Sequence, residues 1–285
     1  MLESFMSSWE LFHNTYLVGW LIGILLSIVG VLVVARDQIF LGAAVSQSST
    51  LGIAAAMSLG GLGIGPAWFE TDAFAALMAV LFCVIASLVT WQEGSGKGRE
   101  SHEAKTGWVF LLASSFSILL MSHSPHGLEE IHRLVSSSII GATDMDVWIL
   151  GMILLLTVLF LSFYHQPILL LSMDPAMAVA VGMKLRLWSV LLSIWLGLSV
   201  GLSIRVSGML YAFGCLVLPP LIAKNVCREV RPMFLVAPCA AVLIASAGFV
   251  VAHHYDYPPA QMTVALMSMV LLLCWLKGSL SISKG

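Results

Sequence analysis

Nine stretches of mostly apolar residues, each close to the length of a bilayer crossing, dominate this chain: 16–35, 40–59, 72–92, 106–122, 147–164, 186–203, 206–223, 233–252 and 259–276. A helix needs roughly 20 such residues to cross the hydrocarbon core. Lipid offers backbone N–H and C=O groups no partner, so each segment must satisfy its own, which favours helices. Strand-type alternation is absent. The 285 residues are 59% hydrophobic and only 10% charged, more apolar than a water-soluble core of this length requires. The expected fold is therefore all-α: a polytopic transmembrane helical bundle of 8–9 spans forming one transmembrane domain over 1–285. The second and seventh segments carry enough polar groups to be broken or re-entrant.

Charge sets the expected orientation through the excess of Lys and Arg on cytoplasmic loops. With the 93–105 loop inside, the same side holds Arg36, Lys97, Arg99, Lys105, Lys184, Arg186, Lys224, Arg228, Arg231, Lys277 and Lys284. Only Arg133 and Arg205 of the 13 cations fall outside. The N-terminus is thus expected outside and the C-terminus in the cytoplasm. The polar, mildly acidic start lacks the basic flank of a signal peptide. Cys83, Cys215, Cys227, Cys239 and Cys274 stand singly, so neither a CxxC site nor a disulfide framework is expected. A net charge of −2 argues against nucleic-acid binding.

Two connecting segments carry local structure. On the inner side runs Tyr164-His-Gln-Pro-Ile-Leu-Leu-Leu-Ser-Met-Asp-Pro-Ala-Met-Ala-Val-Ala-Val-Gly-Met183. Asp174 before Pro175 is a helix start and Gly182 a helix stop, which predicts a short cytoplasmic helix within a segment of about 173–184. Small residues there suit a docking knob, although an ordinary interfacial connector has the same pattern. On the outer side, Ser124-Pro125 can open a short extracytoplasmic helix over 126–140. His126, Glu129 and His132 recur every three residues and would share one side of it. Imidazole and carboxylate suit transition metals, but a solvated surface, or one that docks a binding protein, looks the same. His123, His253, His254, Glu130 and Asp256 enrich the same side.

Inside the second segment, Phe40-Leu-Gly-Ala-Ala-Val-Ser-Gln-Ser-Ser-Thr-Leu-Gly-Ile53 places Ser46, Gln47, Ser49 and Thr50 within little more than one helical turn. Polar groups at this depth are expected to face the bundle interior. They can line a neutral path for a solute or bond one helix to another. Neutral oxygens alone are poor zinc ligands.

Three enzyme-like strings fail on context. Gly197-Leu-Ser-Val-Gly201 spells GxSxG, but a nucleophile elbow needs a strand–turn–helix and this string lies in an apolar helix. His102-Glu103 opens no HExxH, since position 106 is Thr. Gly94-Ser-Gly-Lys97 is not a P-loop, so ATP is not bound by that route.

The stretch from Phe40 resembles the second membrane helix of the bacterial ABC permeases that import zinc, manganese or iron. Their pattern is roughly Phe-Leu-Gly-Asp-Ala-x-Ser-His, with Asp and His one turn apart. The resemblance continues through Asp174-Pro175 to Gly182, then Val206-Ser-Gly-Met-Leu-Tyr-Ala-Phe-Gly-Cys-Leu-Val-Leu-Pro-Pro220 and Tyr255-Asp-Tyr-Pro-Pro-Ala260. It covers about 18–276. It implies a permease subunit in the bacterial plasma membrane that performs no covalent chemistry and holds no covalent cofactor. A divalent metal would be the substrate and a partner ATPase would use ATP. That ATPase would dock on Asp174, Pro175, Ala176, Ala180 and Gly182. An extracytoplasmic binding protein and a second permease copy or paralogue would complete the complex. The departures lie along the metal path: Ala43 and Gln47 replace the Asp and His, Glu103 corresponds to the family's acid near the start of the fourth span, and Leu111 stands where some members have histidine. A metal chelate or other small polar solute, or a non-transporting scaffold role, are the alternative readings.

Overall fold

A computed structural model of the chain describes residues 9–61, 71–90, 101–122 and 139–282. These form ten α-helices: α1 Trp9–Ala35, α2 Ile39–Gly61, α3 Asp72–Thr90, α4 His102–Ser122, α5 Asp144–Met173, α6 Pro175–Ala180, α7 Leu185–Ser207, α8 Met209–Val226, α9 Val230–Tyr255 and α10 Pro259–Ile282. A 3₁₀ turn at Ile139–Gly141 precedes α5. Among the described residues nine helices, all but α6, are long and apolar enough to cross a membrane, and no strand occurs. The all-helical, multi-pass expectation holds. The expected outer helix over 126–140, with His126, Glu129 and His132, lies outside the described residues except for the 3₁₀ turn.

The chain divides into two compact units, one of 1–35, 138–162 and 206–285, the other of 36–137 and 163–205. In the first, α1 lies against α8 and α9, and α10 packs on both of those. Small residues let these helices approach. A methyl group added at Gly30 would stand 1.8 Å from the Leu216 carbonyl, so that oxygen fills the space a side chain would need. Pro220 explains why that carbonyl is available, because proline has no N–H to return to the residue four before it. On α9 the buried stripe Ala237, Ala241, Ala245, Phe249 and Ala252 runs at helical spacing. Ala241 lies 3.6 Å from the Cβ position of Gly23 on α1.

In the second unit α2 packs on both α3 and α4. Gly52 of α2 abuts the Met78 backbone on α3. Gly197 and Gly201 of α7 abut Val84 and Val80 of α3. The string that mimics a nucleophile elbow is thus a GxxxG packing face, small residues four apart that let two membrane helices approach closely.

The fifth span differs from expectation. The sequence places its end near 164, whereas α5 continues to Met173 through a break at Tyr164 (φ −117°, ψ 23°) with Pro167 inside the helix. Proline's ring clashes with the carbonyl four residues before it, here Phe163, and kinks the helix instead of ending it. One of the four points at which the chain passes from one unit to the other, between 162 and 163, falls at this kink.

Candidate functional site

The polar turn of α2 separates into two faces. Ser46 and Ser49 are fully covered, Thr50 is 7% exposed, and Gln47 and Ala43 are only partly covered. With Phe40, 48% exposed, Ala43 and Gln47 form one open stripe at i, i+3 and i+7. Of the four predicted path residues, only Gln47 lies on that stripe. The Ser46 hydroxyl is buried without a hydrogen-bond partner among the described residues. The Ser49 hydroxyl lies beside the Cys83 thiol of α3, and that thiol donates to the Val45 carbonyl at 3.4 Å.

Thr50 is the junction of this turn. Its hydroxyl donates to the Gln47 backbone carbonyl at 2.7 Å, with the side-chain oxygen Oε1 of Gln47 a second acceptor at 3.0 Å. Ser117 of α4 approaches to 3.4 Å, a contact in which either hydroxyl can donate, and Ser117 also donates to the Ala113 carbonyl at 2.6 Å. Neither Ser117 nor Cys83 was legible as a partner of this turn, because nothing in the spacing of α3 or α4 marks them.

Glu103 is exposed in the first turn of α4. It lies 14 residues from Ser117, about 21 Å along the helix axis, so the structure does not bring it to the polar turn. Leu111 is 64% exposed. Among the described residues no three His, Cys, Asp or Glu side chains converge to hold a metal ion. At the far end of α9, His253 meets the edge of Phe12 at 6.4 Å and His254 that of Tyr255 at 4.9 Å. A cavity of about 100 Å³ there is lined by Phe12, Tyr16, Phe249, His253 and Asp256, among others.

The short inner helix forms as its cap residues dictate. Asp174 Oδ1 accepts from Met177 N at 2.9 Å, and Pro175 opens α6. At the other end Gly182 has φ +85°, with Gly182 N donating to the Val179 carbonyl at 2.9 Å and Met183 N to that of Ala178 at 3.0 Å. This pair of bonds is a Schellman closure. Ala178 is buried, and Ala176 and Ala180 are exposed. Met177 (55%), Val179 (53%) and Val181 (66%) are exposed too, so the knob is more apolar than its small residues suggested.

The family model described as the ABC 3 transport family matches residues 8–278. Similar curated proteins include the manganese import system permease protein ScaB of Streptococcus gordonii, 23% identical over 278 residues, with 96% of this chain and 94% of that protein covered. The manganese transport system membrane protein MntC of Halalkalibacterium halodurans is also 23% identical, over 255 residues, covering 90% of this chain and 83% of its own length. Among solved structures, PsaBC from Streptococcus pneumoniae in complex with Fab has a TM-score of 0.78 at 17% identity, covering 96% of this chain and 95% of that one. An inward-facing putative metal-chelate type ABC transporter has a TM-score of 0.72 at 16% identity, covering 95% and 88%. At these identities the two structures support the shared fold.

Proposed function

The chain belongs to the ABC 3 transport family, and from that premise we propose that it is the membrane-spanning permease of an importer of divalent metal ions, manganese foremost. The relatives named for manganese import support that substrate. The observation that carries the energised reading is α6, a helix capped at both ends that exposes Ala176, Met177, Val179 and Ala180. Grouped exposed apolar residues of this kind suit a contact surface, here one for a protein partner. In the proposal an ABC ATPase binds α6 from the cytoplasm and uses ATP. An extracytoplasmic protein delivers the ion, and a second permease copy or a paralogue completes the pathway. The charge bias places α6 and the C-terminus inside, in the bacterial plasma membrane, with the N-terminus outside.

Within the pathway the chain offers the stripe of Phe40, Ala43 and Gln47. A neutral amide oxygen is a hard donor, suited to manganese or magnesium more than to zinc. It leaves most of the ion's ligands to water or to the delivering partner. That same neutrality favours a second reading, in which the metal crosses as a chelate that keeps its own ligands.

Two measurements test these readings. Ala180→Arg should abolish co-purification of the ATPase and ATP-driven manganese uptake into proteoliposomes, while leaving the permease folded. Unchanged assembly and uptake would overturn the role of α6. Uptake of chelated but not free manganese by the complete parent complex would select the second reading.

A further inference from the structure

Arg36 stands at the turn heading α2 and reaches the end of α5, next to the docking helix. Its Nη2 donates to the Leu171 carbonyl at 3.4 Å. Leu171 is 1% exposed. The last carbonyls of a helix have no donor within it. Leu170 is served by Asp174 N at 2.9 Å, but the next candidate donor is Pro175, which has no N–H. A donor for Leu171 must come from elsewhere, and Arg36 supplies one. Burial pushes the guanidinium down to about 10, so it stays charged, and a donor, at neutral pH.

Both ends of this contact are stiff. Between Arg36 and the first residue of α2, Ile39, stand Asp37, held left-handed at φ 53°, and Gln38, whose carbonyl accepts from Leu41 N at 3.0 Å. On the other side a single residue, Asp174, separates α5 from α6 and caps the latter. From Ile39 to Gln47 is about 12 Å of continuous helix. A displacement of α6 therefore has a short, hydrogen-bonded route to the open stripe, of the kind through which rigid elements are coupled.

We propose that Arg36 is a positioning residue, a strut that makes α2, with Ala43 and Gln47, follow the docking helix α6 when the ATPase partner closes. The inference rests on the reading of α6 as the ATPase contact. The test uses the complete complex, with Ala43→Cys as a reporter on the stripe and the native cysteines replaced. Maleimide labelling is followed with and without vanadate-trapped nucleotide. In the Arg36 parent the labelling rate should change on trapping. Arg36→Lys, which keeps a charged donor, should keep that change. Arg36→Gln, and Arg36→Met, which keeps the apolar stem, should assemble, hydrolyse ATP and lose it.

A nucleotide-dependent change surviving in Arg36→Gln or Arg36→Met would overturn the strut. So would the absence of any change in the parent. Loss of assembly in both variants, with Arg36→Lys intact, would make Arg36 a folding cap and overturn the proposal equally. Failure of the α6 reading shows separately, as co-purification of the ATPase that survives Ala180→Arg.

Discussion

The helices α1 and α2 follow one another in the chain and have similar lengths, 27 and 23 residues, and a glycine brings each against a neighbour's backbone, Gly30 on Leu216 and Gly52 on Met78, yet their polar groups are used differently. In α1 the Leu216 carbonyl fills the place of a side chain at Gly30, and Phe249 crowds Gly19. Its deeper polar groups are kept local or tied to backbone. Ser27 donates back to the Ile24 carbonyl at 2.9 Å, and Tyr211 reaches the Gly19 carbonyl at 3.0 Å. Hydroxyls and an amide join the packing of α2 on its neighbours, through Thr50 and Ser117, and one stripe stays only partly covered. The first arrangement is sensitive to volume and indifferent to charge it never meets. The second tolerates a change of volume on its open stripe but responds to chemistry there.

The largest effect should come from breaking the packing of α1. Gly30→Ala would place a methyl group 1.8 Å from the Leu216 carbonyl and 2.9 Å from Pro220 Cγ. Overpacking of a tight interior costs ~3 kcal/mol when the neighbour cannot yield, and a backbone carbonyl yields little. Thermal unfolding in detergent should show a large loss of stability. Gly151→Ala, where nothing lies within 4 Å of the added methyl, should show none.

An intermediate effect is expected on the open stripe of α2, and it should appear in binding. Ala43→Asp with Gln47→His places a carboxylate and an imidazole one turn apart on the uncovered side. Calorimetric titration with manganese should show affinity raised by about tenfold or more, near 1.4 kcal/mol, with stability little changed. Tight manganese binding by the parent permease alone would count against a neutral path.

The smallest effect should follow Thr50→Val, which keeps the shape and removes the hydroxyl that joins Gln47 to the Ser117 contact. Interhelical hydrogen bonds in membranes average ~0.6 kcal/mol, so the melting temperature should fall only slightly. The freed Gln47 amide should gain mobility, which relaxation measurements on ¹⁵N-glutamine-labelled protein can follow. A loss as large as that from Gly30→Ala would erase the contrast between the two helices.

Local chemistry was the most legible part of this protein. Asp174, Pro175 and Gly182 announced α6 because caps act within a few residues, and all three behave as cap residues do. The spans were legible because lipid demands long apolar helices. Pro167 was less so: its clash with the previous turn kinks α5 and leaves the helix running to Met173. At the site, the four polar residues of α2 were visible as a cluster, but their division into three covered hydroxyls and one open amide was not. That division depends on which sides of α2 meet α3 and α4.

From the sequence alone came the kind of spans and a count of 8–9, the caps of α6 and the absence of a charged pair at positions 43 and 47. Those follow from solvent, from short-range hydrogen bonding and from residue identity, none of which needs a neighbour distant in the chain. Only the tertiary structure decided that Gly197 and Gly201 are a packing face, that Ser117 closes on Thr50, and that Arg36 serves the carbonyl of Leu171. Each of these joins residues far apart in sequence. Many helix faces can offer a small residue, a hydroxyl or a donor, and the simultaneous packing of whole helices selects the one that is used.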